Sequence, residues 1–400
     1  MSDDAFPNDV AILGGCGHVG LPLGIAFADR GARVVLYDID ENAVKLVNDA
    51  TMPFREDGAD EKLVAVVNSG LLRATTDEAA VSTAENVVIV VGTPVDEYLN
   101  PDPHAIPRAI RETAGSLVDG QLLVLRSTVY PGATALVERL VAELAVKLDV
   151  AFCPERIAEG HALKELVTLP QVVAARSERG RNRAAALFSR LTEQIVFLEP
   201  EEAELAKLFT NTWRYIKFAT ANQFFMIAND SGLDFEKIRS ALGHDYPRAA
   251  DLPGAGFAAG PCLFKDTMQL AAYTNNNFAL GHAAMLVNEG LPAYIVSRIE
   301  QRYALQHMTV AILGMAFKAE SDDIRSSLSY KLRRLLTVRA RRVLCSDPYV
   351  RNDPRLVPLD DAVAAADLII VATPHKQYAG LKPTVPVVDV WNVLDHGVRV

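Results

Sequence analysis

Cysteine is scarce in this 400-residue chain: four thiols, Cys16, Cys153, Cys262 and Cys345, stand far apart. Their spacing fits neither a zinc site nor a disulfide framework, so no metal is expected, and three of them read as ordinary small core residues. No uncharged apolar run reaches membrane-spanning length, which argues against a membrane partner. Basic residues are outnumbered, 40 Lys and Arg against 50 Asp and Glu, for a formal charge of -10. With no basic cluster to offset that balance, nucleic acid is excluded as the main partner. The start, Met1-Ser2-Asp3-Asp4, has neither a basic n-region nor an apolar h-region. No signal peptide is expected there, and the cytoplasm is the expected compartment. Glycine and proline are missing from Glu201 to about Asn229, which excludes a turn in that stretch.

What is present is ample apolar material, 50% of residues, enough for two or three packed domains. The chain also echoes itself. Val10-Ala11-Ile12-Leu13-Gly14 returns as Val310-Ala311-Ile312-Leu313-Gly314. Each copy is followed by a second apolar run ending in an aspartate, Asp38 or Asp347, and by a third running into Thr93-Pro94 or Thr373-Pro374. Short apolar runs alternating with helical patterns indicate parallel strands joined by crossover helices. The expected fold is α/β: two doubly wound Rossmann-like domains flanking an all-helical segment. Boundaries fall near residues 196 and 305. The gap-free stretch from Glu201 carries Leu205, Leu208, Phe209, Trp213, Ile216, Phe218, Phe224, Phe225 and Ile227 almost all round it, which predicts a long helix buried on several sides. Gly232 marks its stop. A second helix is expected from about Gly281 to Arg302, with loop between His244 and Gly260.

Gly15-Cys16-Gly17-His18-Val19-Gly20 follows the first predicted strand and opens a helical pattern. Gly15 permits the tight turn, Gly17 lets backbone approach a pyrophosphate, and Gly20 lets helix and strand pack closely. Asp38 closes the next strand, where a carboxylate takes both ribose hydroxyls and repels a 2′-phosphate, favouring NAD over NADP. A related fold holding another nucleotide is the alternative. Gly92-Thr93-Pro94 and Arg126-Ser127-Thr128 occupy the carboxyl ends of later strands, where ligands of such sheets bind. In the second copy Met315-Ala316-Phe317-Lys318 replaces the three-glycine turn. Two readings stay open there: a different nucleotide, with Lys318 as a point charge for phosphate, or a degenerate copy kept for structure.

On the central helix Glu204, Lys207 and Asn211 share one face. Cys262 is followed by Lys265 and Asp266; neighbouring positive charge favours a thiolate, although a buried inert cysteine carries equal weight. In Cys153-Pro154-Glu155-Arg156-Ile157-Ala158-Glu159, Glu155 is placed to act as a base through water if burial raises its pKa. An ordinary glutamate at a helix start is the plainer alternative.

Together these motifs resemble the UDP-glucose/GDP-mannose dehydrogenase family of nucleotide-sugar 6-dehydrogenases, over nearly the whole chain. The resemblance implies an N-terminal NAD-binding Rossmann domain (1–196), a central helical dimerisation domain (197–304) and a C-terminal Rossmann-like domain that binds the nucleotide sugar, a UDP sugar first (305–400). It implies a four-electron oxidation of a hexose C6 hydroxyl through a thiohemiacetal and a thioester on Cys262. Lys207, Asn211 and Thr128 then support the oxyanion and an ordered water, Asp266 handles protons, and Glu155 promotes attack on the thioester. The cofactor residues it implies are Gly15, Gly17, His18, Val19, Gly20, Asp38, Thr93, Pro94, Thr128, Lys265 and Arg325. Ile157, Glu159, Lys207, Asn211, Phe257, Phe317 and Lys318 meet the sugar nucleotide, and Arg248 resembles an arginine that reaches a neighbouring subunit's substrate, implying a homodimer. UDP-glucose is the leading substrate, with a UDP-N-acetylhexosamine or a thymidine nucleotide as alternatives. The sequence departs from the family pattern at Pro261, beside the thiol, at His18, where Tyr or Phe is common, and at Trp391, where arginine is frequent. Two other readings are a two-electron hydroxyacid dehydrogenase and a non-catalytic nucleotide-binding protein.

Overall fold

A computed structural model of the chain describes residues 6–93, 95–96, 102–395 and 400. It is a mixed α/β protein with two sheets and a long central helix. It divides into two compact units, residues 1–209 and 210–400.

The first unit is built on an eight-stranded sheet. Its strands are β1 (Asn8–Leu13), β2 (Val34–Tyr37), β3 (Leu72–Thr75), β4 (Ala84–Ile89), β5 (Leu122–Leu125), β6 (Asp149–Phe152), β7 (Gln171–Ala174) and β8 (Ile195–Leu198). Their spatial order is β3-β2-β1-β4-β5-β6-β7-β8, parallel throughout except between β6 and β7. The chain reverses direction of growth between β1 and β4, and the crevice at their carboxyl ends is where such sheets hold ligands. Crossover helices α1 (Gly20–Asp29), α2 (Glu41–Asn48), α3 (Ala59–Asn68), α4 (Ala105–Glu112), α5 (Ala133–Glu143), α6 (Ala162–Thr168) and α7 (Glu178–Ser189) connect these strands. The strands read as continuous apolar runs because both faces are covered. Val10, Ile12, Val88 and Val124 pack into one core layer, while Leu13, Val87, Ile89 and Leu125 pack into the other, the two-residue alternation of an extended chain.

Helix α8 (Pro200–Asp230) runs 31 residues without a break. Proline opens it, where its missing N–H is not needed. Leu233 N–H donates to the Ala228 carbonyl and Gly232 takes φ +70°, the left-handed residue that ends many helices. Tyr215 and Phe225 are fully buried, but Phe209, Trp213, Phe224 and Ile227 are about half exposed. The helix is therefore not apolar on all sides for the sake of its own core; one apolar stripe stays open. Among the described residues no helix is long and apolar enough to cross a membrane.

The second unit continues through α9 (Phe235–Gly243), α10 (Leu263–Tyr273) and α11 (Ala279–Glu300). Then follow β9 (Thr309–Leu313), α12 (Leu328–Thr337), β10 (Arg342–Ser346), α13 (Leu359–Ala365), β11 (Leu368–Val371) and β12 (Val387–Asp389). Its four strands are parallel in the order β10-β9-β11-β12. Again Val310 and Ile312 face one core layer and Ala311 and Leu313 the other. The first of these layers is shared with Phe225 of α8 and Leu291 and Ile295 of α11, so helices and sheet form one core.

Asp347 at the end of β10 ties this sheet together. Its Oδ2 accepts Met315 N–H (2.6 Å) and Ala316 N–H (2.9 Å), and its Oδ1 accepts the amides of Tyr349 and Val350. Burial alone would raise its pKa, but the hydrogen bond from His375 and these amides win and hold it down at about 2. A carboxyl depressed from 3.8 stabilises the fold above the unfolded pKa, and that stabilisation is lost as pH falls through the folded value. At neutral pH it amounts to about 2 kcal/mol. Asp347→Asn is therefore expected to lower unfolding free energy by about 2 kcal/mol at pH 7, with the gap to the parent closing between pH 4 and 2. Denaturant titrations at both ends of that range check this; a gap independent of pH contradicts it.

Candidate active site

The residues singled out in the sequence fall into both units. The glycine turn, Asp38, Thr93, Thr128, Glu155, Ile157, Glu159 and Lys207 belong to the first. Asn211, Arg248, Phe257, Cys262, Lys265, Asp266, Phe317, Lys318 and Arg325 belong to the second. Lys207 and Asn211, one turn apart on α8, fall on either side of that division. Pro94 lies outside the described residues.

In the first unit the turn after β1 has the shape a dinucleotide needs. A Cβ on Gly15 would stand 2.7 Å from Leu36 Cβ, and one on Gly20 2.5 Å from the Gly14 carbonyl oxygen. Gly17 is different: its nearest neighbour would be 3.7 Å away, so that face is open for a phosphate to approach backbone. Asp38 Oδ2 accepts Cys16 N–H (2.9 Å) and Oδ1 accepts Asp40 N–H (3.1 Å), leaving a half-buried carboxylate with free lone pairs. The residues present fit NAD. Val19 begins α1 as its N-cap. His18 stacks on Phe54 with ring centroids 4.0 Å apart, and its Nδ1 is 2.8 Å from Glu159 Oε1. The turn after β1 therefore touches the loop after β6. Thr93 Oγ1 donates to the Thr128 carbonyl (2.6 Å), joining the loops after β4 and β5. Ile157 packs against the core layer that includes Ile12.

Glu155 is buried, but in company the sequence did not reveal. Its Oε2 takes Arg126 Nη2 (2.5 Å), and its Oε1 accepts Arg156 N–H and Ile157 N–H. Arg126 is itself fully buried, donating to the Cys153 carbonyl and Gln171 Oε1 and lying over the Phe188 ring. A charged residue directly after the apolar run Leu122–Leu125 was the available signal. Glu204, Lys207 and Asn211 are all buried on α8, so their face is not solvated. Glu204 is occupied: it accepts Gly132 N–H, Thr134 N–H and Thr134 Oγ1–H at the start of α5.

In the second unit Cys262 is not in open loop but caps the N-terminus of α10, where amide dipoles place positive potential. Asp266, on the first turn of that helix, is completely buried. Its Oδ2 accepts Asn211 Nδ2–H (2.6 Å) and its Oδ1 faces Lys265 Nζ at 3.3 Å. Asn211, Lys265 and Asp266 thus form one group at the first turn of the helix that Cys262 begins.

The segment leading to Cys262 is held where side chains are missing. Gly256 lies flat on Trp391, whose ring a Cβ would meet at 2.4 Å, and Gly260 lies on Phe317, where a Cβ would meet Cδ2 at 2.6 Å. Asn222 of α8 clamps Gly256 from both sides, donating to its carbonyl and accepting its N–H, and also donates to Asn288 Oδ1 of α11. Neither asparagine was singled out by sequence; polar residues inside apolar helical stretches were the signal. Phe257 is buried in the core shared by α8, α11 and the second sheet. Lys318 Nζ stands 5.7 Å from the Phe317 ring centre. Arg325 makes a forked pair with Asp323 (2.6–3.0 Å). Arg248 is exposed, its guanidinium over the Tyr246 ring.

Sequence profiles of the UDP-glucose/GDP-mannose dehydrogenase family match the chain in three blocks. They are the NAD binding domain at residues 8–192, the central domain at 201–290 and the UDP binding domain at 311–396. UDP-N-acetyl-D-mannosamine dehydrogenase of Pyrococcus horikoshii is 32% identical over 92% of this chain and 90% of its own. The NDP-N-acetyl-D-galactosaminuronic acid dehydrogenase of Ralstonia solanacearum is 28% identical over 92% and 91%. A UDP-glucose dehydrogenase structure from Pyrobaculum islandicum superposes with a TM-score of 0.90 at 29% identity, covering 100% of this chain and 98% of that one.

Of the four thiols, Cys262 alone is exposed. Burial pushes those of Cys16 and Cys153 up to about 12 and that of Cys345 up to about 11. Brief iodoacetamide treatment of the native protein at pH 8 is expected to label Cys262 and spare the other three, as read by peptide mass mapping. Equal labelling of any buried cysteine contradicts this arrangement.

Proposed function

The chain belongs to the UDP-glucose/GDP-mannose dehydrogenase family, and from that premise we propose that it oxidises the C6 hydroxyl of a UDP-linked 2-acetamido hexose to the acid, with Cys262 as covalent nucleophile. As a member it is an NAD-dependent oxidoreductase of the nucleotide-sugar dehydrogenase type. The observation that carries the proposal is the single exposed thiol at the head of α10, with the Asn211–Asp266–Lys265 group, its Asn211 and Asp266 buried, on the first turn of that helix.

The Gly15–Gly20 turn and Asp38 would hold NAD, which would accept the hydride of each oxidation. The chain's own residues do the rest. Cys262 Sγ bonds to the C6 carbonyl carbon of the aldehyde, whose oxygen becomes an alkoxide supported by Lys207, Asn211 and Thr128. After the second oxidation the same sulfur holds a thioester. Water adds to its carbon, the C–S bond breaks with the electron pair returning to sulfur, and the carboxylate leaves. Asp266 manages the water's proton. Glu155, fixed by Arg126 and two amides, is the residue proposed to promote that attack. The limits proposed for the three domains are 1–196, 197–304 and 305–400. The open stripe of Phe209, Trp213, Phe224 and Ile227 on α8 supports a homodimer formed through the central domain.

UDP-glucose, favoured on sequence motifs, gives way to a 2-acetamido sugar. Support comes from the Pyrococcus horikoshii and Ralstonia solanacearum relatives, named for N-acetylated sugars. The Pyrobaculum islandicum neighbour keeps UDP-glucose as the competing substrate.

A panel of nucleotide sugars is expected to give two NADH per acid formed, with UDP-N-acetylmannosamine turned over faster than UDP-glucose. One NADH per product defeats the four-electron assignment; faster turnover of UDP-glucose defeats the sugar assignment. Cys262→Ser is expected to bind NAD and UDP normally while acid release falls by about 10³-fold or more. Undiminished acid release by that variant defeats the covalent role.

A further inference from the structure

The second Rossmann-like sheet has turned its ribose-type carboxylate inward. Asp347 occupies the place that Asp38 holds in the first unit, yet its oxygens are engaged by four backbone amides and an imidazole. Gly314, φ +96°, is pressed against Thr373 so closely that a Cβ would meet Thr373 Cβ at 2.4 Å, and Thr373 Oγ1 donates to the Ala316 carbonyl. The imidazole is that of His375, fully buried in the loop after β11. Its Nδ1 accepts Glu320 N–H at 3.0 Å. A backbone amide can only donate, so Nδ1 carries no proton, and the proton sits on Nε2, 3.2 Å from Asp347 Oδ2. Glu320, itself at φ +56°, accepts Lys376 N–H on Oε1 and Tyr349 Oη–H on Oε2.

The loop from Ala316 to Glu320 is therefore tied at both ends, to Asp347 at one and to His375 at the other. The residues between the ties include Phe317 and Lys318. We infer that His375 is a positioning residue for the nucleotide subsite: by accepting the Glu320 amide it fixes the loop that presents Phe317 and Lys318 to the uridine diphosphate. This rests on the reading that these two residues meet the nucleotide, which the match of residues 311–396 to a UDP binding domain supports. A histidine that only fills space would not be rescued by a smaller side chain that returns the Nδ1 acceptor to the Glu320 amide; a positioning one would, with NAD binding unmoved throughout.

The experiment is calorimetric titration of the full-length protein with UDP and, separately, with NAD. In His375→Gln the side-chain amide reaches Asp347 but leaves the Glu320 N–H without its acceptor. UDP affinity is expected to fall about 10-fold, the loss of one well-made hydrogen bond, with NAD affinity unchanged. In His375→Asn the carbonyl oxygen stands where Nδ1 stood, and UDP affinity is expected to recover to within about 3-fold of the parent. Tyr349→Phe removes only the hydroxyl that braces Glu320, and is the variant to read if the buried substitutions do not fold; about 3-fold weaker UDP binding is expected. UDP affinity equal to the parent's in the glutamine or the phenylalanine variant overturns the inference, as does parallel loss of UDP and NAD. A parent that binds NAD but not UDP overturns the subsite reading itself.

Discussion

An aspartate at the end of the second strand of each sheet accepts hydrogen bonds from the turn that follows the first strand, and the two sites differ in how completely it is consumed. Asp38 takes one amide of its turn and stays half-buried, beside a Gly17 that faces open space. Asp347 takes two amides of its turn, two of its own loop and a histidine, and is buried. A carboxylate with spare lone pairs at a ligand edge recognises hydroxyls; one with none is a structural bolt. One device thus gives a dinucleotide site in the first unit and closes that same position in the second. In the proposed reading a ligand of the second unit meets the Phe317–Lys318 loop instead.

The thiol depends on a related economy of space. Gly256 and Gly260 allow the segment before Cys262 to lie on Trp391 and Phe317 at distances no side chain would permit. Asn222, held in turn by Asn288, then satisfies the Gly256 backbone that this close approach buries. The segment ends at the start of α10, where Cys262 is exposed while Asp266, on the first turn of the same helix, is sealed off. Trp391 reads as a packing surface for that segment, its indole N–H donating to the Ala372 carbonyl.

Much of the fold was written in local pattern. Runs such as Val10–Leu13 and Val310–Leu313 are apolar at every position because parallel strands are covered on both faces, and that shows in sequence without knowing what covers them. The turn at Gly15–Gly20 with Asp38, and the helix uninterrupted from Glu201 to Asp230, were legible for the same reason. Helices α9 and α10 were not read, because the first is short and the second begins straight after a Gly-Pro pair that signals loop. Nor did the apolar content of α8 distinguish Phe225, which is buried, from Phe224 beside it, which is not.

The sequence by itself determined the periodicities, the turn chemistry and the residue types able to act: a thiol, a lysine, two carboxylates and a nucleotide turn. The tertiary structure decided which of them are accessible and what each is bonded to. Glu155 could be read as a base, but its partner Arg126 lies 29 residues away. Asp266 is held by Asn211, 55 residues away, and His375 reaches Asp347 across 28. Hydrogen bonds and burial act through space, and no local pattern carries the identity of a neighbour that only chain crossing brings near.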